Sequence, residues 1–169
     1  FDLFVGNNGR NFLYQNNGSG LFIKITDAFP ANTDYSFGSG WSDFDNDGDQ
    51  DLFVSNYGSK NVLYKNDGQG HFSEYANRAY MNDIGNSRSC CWTDCNNDGY
   101  SDLFVTNNGY DFFYLNNGGE NNWANIKLSG TVSNSAGAGA RLSIHRTDGM
   151  QSIETLHDVS AQQGFGAQG

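Results

Sequence analysis

The sequence is written three times over. Asp2-Leu3-Phe4-Val5-Gly6-Asn7 returns as Asp51-Leu52-Phe53-Val54-Ser55-Asn56 and again as Asp102-Leu103-Phe104-Val105-Thr106-Asn107. Behind each run follow Leu13-Tyr14-Gln15-Asn16, Leu63-Tyr64-Lys65-Asn66 and Phe113-Tyr114-Leu115-Asn116, each trailed by a glycine at 18, 68 or 118. The three tyrosines are spaced by 50 residues. A period of this length, with each unit unable to bury its apolar face alone, restricts the chain to a repeat architecture. Within a unit, apolar residues alternate or form short runs bounded by pairs such as Asn17-Gly18 and Asp67-Gly68. That is strand–turn–strand patterning. The 22 glycines and 23 asparagines serve it, since both residue types tolerate left-handed backbone in tight turns.

Four short strands per 50 residues is the range of propeller blades. The second unit predicts strands near 38–43, 51–56, 61–66 and 71–76, and the third near 89–93, 102–107, 111–116 and 123–129. Phe22 and Phe72 close the first two units, and Trp123 stands in that place in the third. The first unit begins at its second strand. The expected fold is all-β: an incomplete β-propeller of about three blades, the first lacking a strand, with a small C-terminal β extension. Since propellers close with about four to eight blades, either other parts of a longer protein or neighbouring copies are expected to complete it.

Two loops carry the chemistry. One runs Asp43-Phe44-Asp45-Asn46-Asp47-Gly48-Asp49-Gln50-Asp51, the other Asp94-Cys95-Asn96-Asn97-Asp98-Gly99-Tyr100-Ser101-Asp102. Oxygen side chains fall at positions 1, 3, 5 and 9, with glycine at 6 for a sharp turn and a backbone carbonyl at 7. Hard oxygen donors in that number suit Ca²⁺, which takes six to eight flexible ligands. An EF-hand opens the same way but needs a bidentate Glu at position 12; Val54 and Val105 stand there. Two such loops in register with the repeat point past simple turn chemistry.

The pattern Asp-x-Asp-x-Asp-Gly-x-x-Asp-Leu-Phe-Val, followed by Leu-Tyr-x-Asn-x-Gly-x-Gly-x-Phe, resembles the FG-GAP/VCBS repeats of integrin-α-like β-propellers over residues 1 to about 123. The resemblance implies two calcium sites. The first would use Asp43, Asp45, Asp47, the Asp49 carbonyl and Asp51; the second Asp94, Asn96, Asp98, the Tyr100 carbonyl and Asp102. From Asn122 the repeat is lost. Trp123-Ala124-Asn125-Ile126-Lys127-Leu128, Gly139-Ala140-Arg141-Leu142 and Gly164-Phe165-Gly166 resemble the ASPIC/UnbV module that follows such repeats in cartilage-acidic-protein-like and bacterial surface proteins. The implied division is 1–122 for the blades and 123–169 for an ASPIC/UnbV-like segment, with strands near 123–129, 140–147 and 150–158.

Charge narrows the partners. Nine basic residues against nineteen acidic ones leave a net charge of −10, which argues against nucleic-acid binding, since that requires a basic face. No apolar run approaches the roughly 20 residues of a membrane span, and no signal-peptide pattern opens the sequence. Catalytic motifs are absent: no Gly-x-Ser-x-Gly, no His-Glu-x-x-His, no phosphate loop. The expected function is therefore a calcium-binding, extracellular structural or adhesive module rather than an enzyme. Its partners would be adjacent blades, other copies joined through open β edges into filaments, or an extracellular protein or glycan. The alternatives are a carbohydrate-binding propeller fragment using exposed aromatics, and a non-catalytic part of a larger secreted enzyme. Cys90, Cys91 and Cys95 cluster at the second loop; His71, His145 and His157 lack the spacing to complete a zinc site with them. A disulfide involving Cys95 and buried free thiols are both open, as is glycosylation at Asn17-Gly18-Ser19.

Overall fold

A computed structural model describes residues 2–30, 34–75, 83–123, 141–147 and 152–158. The chain divides into two compact units, Phe1–Trp123 and Ala124–Gly169. All regular structure in the described residues is β.

In the first unit, β1 (Leu3–Val5), β2 (Phe12–Asn16) and β3 (Phe22–Ile25) form an antiparallel three-stranded blade. The second blade is complete: β4 (Ser36–Ser42), β5 (Asp51–Lys60), β6 (Val62–Asn66) and β7 (Phe72–Glu74), paired in sequence order. The third has β8 (Ile84–Thr93), β9 (Asp102–Asn107) and β10 (Phe112–Tyr114). Register repeats with the sequence. Leu3 faces Tyr14, Leu52 faces Tyr64 and Leu103 faces Tyr114, so the same alternation turns the same side chains to the same face each time. The fourth strand expected near 123–129 lies from residue 124 onward outside the described residues. Trp123 itself is not in a strand; its indole covers Gly99, leaving no room there for a Cβ.

Two strands run longer than their sequence pattern. β5 continues through Tyr57–Lys60, and β8 begins five residues earlier than expected, at Ile84; these extensions pair with each other, Tyr57 with Asn86 and Lys60 with Ile84. The second and third blades are thereby stitched into one seven-stranded sheet. The first blade is joined to the second in the same manner but more briefly, through a bridge between Asn8 and Tyr35 and the bond from Ser36 N to Asn7 O at 2.9 Å. Bulges at matching places, after Ser36 in β4 and after Ser87 in β8, increase local twist. They bring Arg88 of one blade over the Phe37 and Tyr57 rings of the other, 4.6 and 4.7 Å from their centroids.

Apolar residues pack between blades rather than within them. One cluster, with Leu13, Leu52, Val54, Tyr64 and Phe72, fills the space between blades one and two; another, with Phe44, Phe53, Leu63, Leu103, Val105 and Tyr114, lies between blades two and three. The outer faces remain open. Leu3 and Phe22 are 47% and 50% exposed, whereas their repeat equivalents Leu52 and Phe72 are 0% and 9%. Phe113 is 48% exposed against 3% for Leu63.

In the second unit, β11 (Arg141–Thr147) and β12 (Ser152–Asp158) form an antiparallel pair from Arg141–Asp158 to Thr147–Ser152. They occupy the places expected near 140–147 and 150–158.

Candidate metal centre

Each Asp loop joins the first and second strands of a blade: 43–51 between β4 and β5, 94–102 between β8 and β9. Local backbone chemistry folds both identically. Asp43 accepts the N–H groups of Asp47 and Gly48, each at 3.0 Å; Asp94 accepts those of Asp98 at 3.1 Å and Gly99 at 2.9 Å. The chain reverses through left-handed Asn46 and Gly48 (φ 57° and 100°), and likewise through Asn97 and Gly99 (59° and 85°). Asparagine and glycine enter that region at low cost. Asp51 and Asp102, fully buried at the head of their strands, close the loops by accepting from Phe44 N and Asn66 N, and from Cys95 N and Asn116 N.

The first loop brings carboxylate oxygens of Asp43, Asp45 and Asp51 within 4.8 Å of one another. Asp45 Oδ1 is buried with no hydrogen-bond partner, a costly state for an anionic oxygen. Burial pushes the Asp51 carboxyl up to about 7 and raises that of Asp43, against the N–H groups that hold them ionised. Asp47 directs Oδ1 to Asp49 N at 3.1 Å and Oδ2 to the Lys65 ammonium at 3.1 Å. The Asp49 carboxylate lies against the Gly68 turn, where an added Cβ would meet Oδ2 at 2.5 Å.

In the second loop, Asn96 stands at the position of Asp45 and bonds Asp98 through both ends of its amide, Nδ2 to Asp98 Oδ2 at 2.8 Å and Oδ1 from Asp98 N at 3.0 Å. The Tyr100 hydroxyl donates to Asn121 O at 2.6 Å, directing that side chain away. Cys95 Sγ donates to Asp102 Oδ2 at 2.8 Å. Although burial pushes Asp102 upward, this thiol and the two backbone donors together hold it below the usual carboxylate range. All three cysteines are free, with Cys90 buried and Cys91 and Cys95 exposed. The structure pairs none of them, and the expectation of buried free thiols holds for Cys90 alone.

Three contributors escaped the sequence reading. Asn66 and Asn116, in the repeated Leu/Phe-Tyr-x-Asn motif, donate their backbone N–H to the position-nine Asp of their own loop, and Asn116 Nδ2 also reaches the Phe44 carbonyl of the other at 2.7 Å. Their recurrence was the available signal. Lys65, which pairs with Asp45 and Asp47, had a subtler one: it stands where the other repeats carry Gln15 and Leu115.

The donors are all oxygens, and an anionic one is buried without a partner, so the first loop fits a hard divalent cation of the calcium type. A family model described as FG-GAP-like repeat matches residues 1–54 and 43–105. The match ends there; the ASPIC/UnbV resemblance of the segment beyond gains no support from it. No curated protein matches the chain.

Proposed function

The chain belongs to the FG-GAP-like repeat family, and on that premise we propose that residues 1–122 form a calcium-stabilised, non-catalytic propeller module of an extracellular structural or adhesive protein. Repeats of this family are typical of extracellular proteins and are generally non-catalytic, and no helix among the described residues is long and apolar enough to cross a membrane. The observation that carries the calcium reading is the buried, unpartnered Oδ1 of Asp45 beside Asp43 and Asp51. Asp43, Asp45, Asp47 and Asp51 with the Asp49 carbonyl would hold one ion; Asp94, Asn96, Asp98 and Asp102 with the Tyr100 carbonyl a second. Two ions would move the net charge from −10 toward −6. They would supply the counter-charge that the packed carboxylates of each loop require. Extracellular calcium, at millimolar concentration, saturates even sites with Kd around 10⁻⁴ M.

The exposed blade faces around Leu3 and Phe22, and around Phe113, support pairing with further blades, whether adjacent in a longer protein or on other copies assembling into a filament. An exposed apolar surface next to unpaired strand edges recruits such partners. The resemblance of Trp123-Ala124-Asn125-Ile126-Lys127-Leu128 and Gly139-Ala140-Arg141-Leu142 supports reading residues 123–169 as a segment of ASPIC/UnbV type.

Thermal melting in EGTA and then in millimolar calcium tests the calcium reading. Calcium at about ten times a Kd of 10⁻⁴ M adds about 1.4 kcal/mol per site, so Tm must rise; an unmoved Tm in both conditions overturns it.

A second reading rests on Tyr110, which is 93% exposed at a groove also lined by Ile84, Asn86 and Asn108. An open aromatic flanked by amides suits stacking on a sugar ring. Glycan-array binding lost on Tyr110→Ala would establish a lectin role; a blank array with the wild-type protein removes it.

A further inference from the structure

We propose that Lys65 is a tethered cation that competes with calcium for the first Asp loop and so sets the calcium concentration at which that loop fills. The inference rests on the calcium reading above. The Lys65 ammonium bonds Asp45 and lies 3.1 Å from Asp47 Oδ2. Asp45 is also one of the three carboxylates whose oxygens converge within 4.8 Å. One carboxylate thus belongs both to the lysine pair and to the candidate metal group. A divalent ion entering that group would stand a few ångströms from an ammonium in a partly desolvated loop, where like charges repel strongly. Filling the loop therefore requires Lys65 to swing out, and its four-carbon stem permits this.

The third repeat is the internal comparison. There the lysine is replaced by Leu115 and the Asp45 position by Asn96, whose Nδ2 donates to Asp98 Oδ2 at 2.8 Å. The outer oxygen of the position-five Asp thus has an N–H partner in both loops. In the second loop that donor is a neutral amide of the loop itself; in the first it is a charged ammonium carried by a neighbouring strand. The exchange of Asp45 with Lys65 for Asn96 with Leu115 is a charge-balanced swap, as expected if the lysine is present to neutralise that carboxylate when no metal does. The calcium-free first loop is then held by its own side chain.

Calorimetric calcium titration of the full chain carrying Asp98→Ala, which disables the second loop, isolates the first. Adding Lys65→Met is expected to tighten its Kd by about tenfold, since removing one nearby positive charge from a divalent site is worth about 1.4 kcal/mol or more. Adding Lys65→Arg, which keeps the charge, is expected to leave Kd within about twofold. In the protein with Lys65 intact, acetylation of that residue read by mass spectrometry should speed up when calcium is added. An unchanged or weaker Kd in the Lys65→Met protein, with circular dichroism showing it folded, overturns the proposal. If the Asp98→Ala protein binds no calcium with either residue at 65, the calcium reading of the loop fails instead.

Discussion

The side-chain amide of Asn46 donates to the carbonyl of Gly99 at 3.0 Å, across 53 residues of sequence. Each Asp loop thus touches the other directly, and two more bonds run alongside: Asn116 Nδ2 to Phe44 O at 2.7 Å and Asn121 Nδ2 to Asp45 O at 2.9 Å. The loops are not independent hairpin tips. Backbone groups of one loop are thus held by side chains that belong to or flank the other.

Because Asn46 has a φ of 57°, its replacement separates two effects. Asn46→Gly keeps the left-handed backbone and loses the bond to Gly99, an expected cost of about 1 kcal/mol. Asn46→Val loses the bond and adds strain from a β-branched residue in that region. Urea unfolding should rank wild type above Asn46→Gly and Asn46→Gly above Asn46→Val; equal stability of the two variants would show that strain is absent.

Gly38 is held where β4 meets β8. A Cβ there would stand 2.8 Å from Arg88 O and 2.9 Å from Ser89 Cα, both backbone atoms that cannot rotate aside. Gly38→Ala is expected to cost about 1–3 kcal/mol as an overpacking change. Gly70→Ala, at a turn with open space around it, serves as a comparison in which only the positive φ is taxed. Chemical denaturation of both checks the order.

At the tip between β6 and β7, Asp67 accepts from Gln69 N at 2.8 Å and His71 N at 3.1 Å, and those bonds with the His71 ring hold its carboxyl below the ordinary 3.8. A depressed folded value means the contribution is complete above 3.8 and is lost as pH falls through the folded value. Asp67→Asn keeps an oxygen acceptor and removes the titrating group. Its stability should fall less steeply than wild type between pH 4 and pH 2; parallel curves would show that Asp67 carries no pH-linked stability.

The thiols should react in order of access. Burial pushes Cys90 up to about 12, so it carries almost no thiolate at pH 8 and is shielded from reagent. Cys91 and Cys95 are exposed. A disulfide-exchange reagent should titrate at most two thiols in the folded protein and a third only after denaturation; three fast equivalents in native buffer would contradict the burial of Cys90.

What could be read before any coordinates was what local rules dictate. The pairing of Leu3, Leu52 and Leu103 with Tyr14, Tyr64 and Tyr114 follows from two-residue alternation across short glycine turns, because a one-residue slip would turn every apolar side chain outward. The shape of the Asp loops follows from asparagine and glycine at the two left-handed positions and from carboxylates placed to accept the N–H groups that follow them. None of this needs a distant partner.

The rest depended on distance. Tyr57-Gly58-Ser59-Lys60 has no strand pattern of its own, and it extends β5 only because Ile84–Asn86 lies alongside. The Asp loops were visible as loops. Their contact through Asn46 and Gly99 was not, since asparagine at a turn explains itself without a partner. Lys65 looked like one more polar residue on a strand until β6 was seen to carry it to Asp45 and Asp47. Periodicity determines which face a residue takes and where the chain turns. Which charges meet between a loop and a neighbouring strand is decided by tertiary packing, because the attraction acts through space between residues whose sequence separation carries no signal.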